Sequence, residues 1–159
     1  MEKALFYRCE KCGNIVAMVH LGGGELVCCG QPMTLLVPNS VDASKEKHVP
    51  VLSKGYDKLD VSVGSIPHPM TPEHFIEWIA LSTDNKIEIM YLKPGAEPRV
   101  RFLYSPIAEE VKDIHASEGE PVVLNCEGSP CSFTCNVIID KETTVYAYCN
   151  LHGLWKASL

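Results

Sequence analysis

A chain of 159 residues holds one ordinary domain, or a small unit beside a larger one. Its 46% apolar and 21% charged content belongs to a folded globular protein and excludes a disordered one. A formal net charge of −6 gives no footing for nucleic acid, and no apolar run is long enough for a membrane-spanning helix. The first residues carry no apolar stretch of signal-peptide length, so a cytoplasmic location is expected. In that reducing compartment the eight cysteines read as metal ligands or redox groups rather than a disulfide framework.

Residues 1 to 36 form the first unit. Cys9-Glu10-Lys11-Cys12-Gly13 is a Cys-x2-Cys knuckle, with Gly13 free to take the positive φ of a tight turn. Ile15 to His20 reads as a strand, Gly22-Gly23-Gly24 as a turn, and Glu25-Leu26-Val27 as the return. Fifteen residues separate Cys12 from Cys28, enough for one hairpin to bring Cys28 and Cys29 back to the first pair. So short a unit buries little core, and a metal is the expected staple. Four thiolates suit zinc or a single iron. The adjacent Cys28-Cys29 pair is unusual, because neighbouring residues reach two tetrahedral corners only with distortion. A structural zinc knuckle and disulfides stay open as alternatives.

Residues 37–45 read as a polar linker, and from residue 46 the pattern is β. Val61-Ser62-Val63 alternates. Phe75 to Leu81 and Lys86 to Leu92 flank a Ser82-Thr83-Asp84-Asn85 turn as a hairpin. Arg99 to Tyr104 and Thr143 to Tyr148 are further strands, whereas Ile107 to His115 looks weakly helical. Short strands punctuated by turns argue a mainly β fold, an antiparallel sandwich beside the small first unit.

The sandwich carries the chemistry. Cys149 and His152 place a thiol and an imidazole three positions apart beside Gly153. His48 precedes a Val-Pro turn, His68 is held between two prolines, and His74 lies six residues further on. A lone histidine is ordinarily a surface or core residue, and His20 and His115 are read that way. The other four, together with Cys149, form a set of five. Closed structural zinc sites take four ligands, so five argue for a reactive centre with one position free. Imidazole suits iron, copper or zinc, and thiolate adds a soft donor; the expectation is one iron that does the chemistry. Lys47, beside His48, adds local positive charge, although alone it would pass as a solvated surface lysine.

These pieces in this order resemble desulfoferrodoxin, the two-iron form of superoxide reductase. The matching segments are Cys9-x2-Cys12-x15-Cys28-Cys29, Glu46-Lys47-His48-Val49-Pro50, Pro67-His68-Pro69-Met70-Thr71 through His74, and Cys149-Asn150-Leu151-His152-Gly153-Leu154-Trp155. They span most of residues 1–105 and 138–159. The resemblance implies a desulforedoxin-like Fe(Cys)4 domain over 1–36, with Cys9, Cys12, Cys28 and Cys29 as ligands. It also implies an immunoglobulin-like sandwich over 37–159 holding a second iron. There His48, His68, His74 and His152 would be equatorial and Cys149 axial. The implied reaction is one-electron reduction of superoxide to hydrogen peroxide, with Lys47 assisting charge and protonation and Glu46 filling the open position after turnover. A rubredoxin-like or similar electron donor and a homodimer are likewise implied.

One stretch departs from the pattern. About thirty extra residues lie between His74 and Cys149, placed at about 105–138 and carrying Cys126, Cys131 and Cys135. They read as an added hairpin with incidental thiols; a disulfide, a redox relay or a third metal site are the alternatives. Two other readings of the whole compete: a non-catalytic iron electron carrier, and a zinc-stapled binding module.

Overall fold

A computed structural model of the chain describes residues 4–41, 48–55, 57–84, 86–104, 108–110, 136–138 and 143–159. The regular structure of the described residues is all β. None of them forms a helix long and apolar enough to cross a membrane.

In the first unit, β1 (Leu5–Arg8) runs back antiparallel as β2 (Ile15–Met18), with Phe6 opposite Ala17 and Tyr7 opposite Val16. β3 (Val27–Cys28) pairs with β4 (Gln31–Pro32), and β5 (Thr34–Leu35) joins the other side of β1. The expected return of Glu25–Val27 against the strand after Cys12 therefore gives way to two separate hairpins. The reason is local. Cys29 and Gly30 both take positive φ, 52° and 74°. Two such residues in succession make the tight hairpin turn whose twist suits antiparallel strands, so Cys28 folds directly onto Gln31.

Among the described residues of the larger unit, seven strands make up two facing sheets. β6 (Pro50–Lys54), β7 (Lys58–Val63) and β10 (Arg99–Leu103) form one sheet in the order β10-β7-β6. β8 (Ile76–Ser82), β9 (Ile87–Tyr91), β13 (Thr144–Cys149) and β14 (Gly153–Ser158) form the other, ordered β14-β13-β8-β9. All pairings are antiparallel. Four strands facing three is the immunoglobulin-like arrangement. Leu59, Val61, Val63, Ile79, Leu81, Phe102, Val145 and Ala147 fill the space between the sheets.

The four-stranded sheet is covered on its outer face as well. There Trp78, Ala80, Tyr146, Tyr148 and Leu154 meet Ala4 and Phe6 of the first unit. Phe6 contacts the Trp78 ring at 4.9 Å and the Tyr146 ring at 5.4 Å. Three layers result, and β8 and β13 are buried on both faces, which explains their near-continuous apolar sequences. The register between β8 and β13 shifts at Tyr148/Cys149, where Cys149 comes to lie opposite Ile76. Such a bulge bends the strand and re-aims the side chains beyond it.

One segment is tied down and another departs from sequence expectation. The linker is pinned at Asn39, whose N–H donates to the Leu154 carbonyl (2.9 Å) and whose carbonyl accepts from Lys156 N–H (2.8 Å). Within the weakly helical stretch, Ala108–Glu110 is strand β11, paired with β12 (Asn136–Ile138) so that Ala108 faces Ile138. Cys126, Cys131 and Cys135 lie outside the described residues, as do Glu46, Lys47 and His115.

Candidate metal centres

The structure brings the nine predicted ligands into two groups. In each, the potential donor atoms lie within 4.8 Å of one another. In the first unit, Gly13 turns the knuckle at φ 79° and its N–H donates to the Cys9 carbonyl (2.9 Å). Cys9 is buried, and Cys12 and Cys29 are exposed. The Cys12 and Cys28 sulfurs are 3.6 Å apart, and those of Cys28 and Cys29 are 3.9 Å apart. A disulfide needs about 2.05 Å. Four sulfurs about 2.3 Å from one metal would be separated by about 3.8 Å. The positive φ of Cys29 is what lets two consecutive residues share one centre.

The second group draws on four parts of the sandwich. His48 precedes β6, His68 and His74 lie in the β7–β8 connection, and Cys149 and His152 flank the β13–β14 turn. The four imidazoles form a closed square. Neighbouring ring centres are 4.6 Å (His48–His68), 4.5 Å (His68–His74), 4.8 Å (His74–His152) and 4.6 Å (His48–His152) apart. Across the square, His48 and His74 are 6.0 Å apart.

Three donors crowd one atom. His152 Nδ1 lies 2.9 Å from His48 Nε2, 3.1 Å from His74 Nε2 and 3.5 Å from Cys149 Sγ. A ring nitrogen carries either one proton or one lone pair, so hydrogen bonding cannot satisfy three such neighbours at once. A cation in their midst can. Nitrogens about 2.1 Å from one ion at right angles would be about 3.0 Å apart, close to the two nitrogen separations seen here.

The desulfoferrodoxin family profile matches residues 40–158, and the profile of the desulfoferrodoxin N-terminal domain matches residues 1–36. A desulfoferrodoxin from Syntrophotalea carbinolica is 42% identical over 98% of this chain and 97% of its own length. The chain belongs to the desulfoferrodoxin family. A Thermotoga maritima relative, provisionally named a superoxide reductase, is 35% identical over 74% of this chain and 87% of its own. The superoxide reductase from Treponema pallidum shares the fold, with a TM-score of 0.60 at 24% identity over 97% of this chain and 96% of that one. The four-sulfur set and the set of four imidazoles and one sulfur fit the two iron centres of a desulfoferrodoxin.

Crowding and burial move several of these side chains from their ordinary protonation. The Cys12 backbone N–H leads in holding the Cys9 thiol down, at about 7. Hydrogen bonding with the Cys12 sulfur leads in pushing Cys29 up to about 12, and Cys9 leads in raising Cys28. Four crowded sulfurs thus resist full ionisation until a cation reverses the balance. Burial pushes His68 down to about 4, so its imidazole is neutral at pH 7. Its Nδ1–H donates to the Pro69 carbonyl (2.6 Å), which leaves Nε2 as a bare lone pair. That Nε2 is buried and has no hydrogen-bond partner among the described residues.

Two residues of the site were absent from the sequence expectation. The Trp155 ring stacks on His48 at 4.7 Å and 17°. Asn150 bonds on both sides of His74. Both sit inside the quoted Cys149–Trp155 segment, but only as motif letters; nothing in their spacing says what they touch.

Proposed function

We propose that this chain is a two-iron superoxide reductase that converts superoxide, with one electron and two protons, to hydrogen peroxide. The observation that carries it is the square of four imidazoles with the Cys149 sulfur beside it. Iron held by His48, His68, His74, His152 and Cys149 would supply the electron. The four cysteines Cys9, Cys12, Cys28 and Cys29 would hold a saturated iron that only carries electrons.

The residues divide the remaining work. His48, His68 and Cys149 are buried and His74 and His152 half-buried, so the side of His74 and His152 is assigned as the approach for a small anion. The Pro69 carbonyl fixes the tautomer of His68, and Trp155 holds the plane of His48. Lys47 is assigned to draw in the anion and to help protonate the departing oxygen, and Glu46 to fill the open side between encounters.

The unit 1–36 is assigned as the electron-transfer domain and 37–159 as the catalytic sandwich, with the insertion at about 105–138. The family matches at 1–36 and 40–158 support that division. A rubredoxin-like protein is the proposed donor, a homodimer the proposed assembly and the cytoplasm the proposed compartment.

The test is anaerobic pulsed-superoxide kinetics on iron-loaded protein. A bimolecular rate near the diffusional range, about 10⁸–10⁹ M⁻¹s⁻¹, is expected. A reduced iron protein that ignores superoxide is an electron carrier instead. Lys47→Ala should slow the reaction and flatten its dependence on ionic strength; an unchanged rate removes Lys47 from the scheme.

A further inference from the structure

Asn150 follows the cysteine of the second centre and ties together the two segments that carry most of its donors. Its side-chain Oδ1 accepts from Phe75 N–H at 2.9 Å, and its Nδ2 donates to the Glu73 carbonyl at 2.8 Å. Its own backbone N–H donates to the Phe75 carbonyl at 3.2 Å. These three bonds bracket His74 from the residue before and the residue after. The loop that bears His74 also closes on itself: Thr71 and His74 exchange backbone bonds of 3.0 and 3.2 Å, and the Thr71 hydroxyl accepts from His74 N–H. Cys149 and His152 stand on the far side of the Asn150 bridge. The 3.1 Å approach of His74 Nε2 to His152 Nδ1 is made across it.

We propose that Asn150 is the positioning residue of the second centre, a crosslink that sets the separation of His74 from the Cys149–His152 turn. The inference rests on the assignment of these side chains as iron ligands. Only a planar amide of this length serves. Its acceptor and donor point in opposite senses, one to an N–H and one to a carbonyl two residues apart. An aspartate keeps the acceptor, loses the donor and sets a negative charge beside the Cys149 sulfur, from which Oδ1 is 3.9 Å away. Alanine loses both. Partners outside the ligand shell typically change metal affinity about 10–100-fold when removed.

The experiment uses the full iron-loaded chain, titrated with a ferrous chelator while the absorption of each centre is followed separately. The four-cysteine centre serves as the internal reference. With Asn150→Ala, the histidine-cysteine centre is expected to lose iron at about 10–100-fold lower chelator concentration, while the four-cysteine centre holds its iron as in the wild type. Hydrogen exchange on the metal-free chain supplies a second readout. The Phe75 amide should lose protection in Asn150→Ala and keep it in Asn150→Asp, whose iron retention falls between alanine and wild type. Unchanged retention in Asn150→Ala overturns the proposal. So does parallel loss from both centres with a lowered melting temperature, which is the mark of a merely structural residue. If the wild-type chain takes up no iron at the histidine-cysteine group, it is the ligand assignment that fails.

Discussion

Trp155 lies flat on His48, and both are almost wholly buried. Removing the indole leaves a cavity against the imidazole it stacks on. Trp155→Ala should cost about 3–5 kcal/mol in urea unfolding, and Trp155→Phe, which retains a stacking ring, clearly less. Equal losses for the two would mean that the stack contributes nothing beyond volume. Elsewhere on the sandwich, Asp60 faces Arg101 across β7 and β10, with Nε 2.7 Å from Oδ1. The guanidinium holds the Asp60 carboxyl below its ordinary 3.8. A carboxylate so depressed adds stability above its unfolded pKa and loses it as pH falls through the folded value. Asp60→Asn should therefore be less stable than wild type at neutral pH, with the difference closing in strong acid. A gap that persists at low pH would locate the effect elsewhere. Its size is bounded by the exposure of the pair.

At the scale of elements, the described residues that flank the insertion lie against one another. Tyr104 and Thr143 bound it with a buried hydroxyl contact of 3.2 Å, and β11 pairs with β12 just beyond. β10 is held in its sheet by β7, and β13 in the other by β8 and β14. Replacing residues 105–142 with a short Gly/Ser bridge should leave the sandwich folded and its histidine-cysteine centre able to take iron, as read by circular dichroism and metal content. Failure to fold would show the segment to be part of the sandwich. The sequence carried most of the sandwich strands, because β8, β9, β10 and β13 are long apolar or alternating runs between turn residues. It did not carry the pairing in the first unit. There strands of two residues hold no periodicity, and the decisive element was the pair of positive φ angles at Cys29 and Gly30. The residues that gather into the two clusters stood out in the sequence through their spacing and, for His48 and His68, their proline context. Their supports, Asn150 and Trp155, did not, since a hydrogen bond to a backbone 75 residues away leaves no local trace.

For the whole molecule, the outer face of the four-stranded sheet is a second core that joins the two units. Phe6, at 2% exposure, is the part of the first unit that reaches deepest into it. Phe6→Ala should cost about 3–5 kcal/mol and split one cooperative thermal transition into two, followed by calorimetry. A single, merely shifted transition would show that the interface holds without it.

The two centres differ in the length of chain each must gather. Cys9 and Cys28 touch across 19 positions, whereas His48 and His152 meet across 104. Contacts that close short loops form early, and those that close long ones wait for the rest of the fold. Maturation therefore has a built-in order. The four-cysteine group draws on the first 29 residues alone, whereas the histidine-cysteine group is complete only when residues 104 positions apart have met.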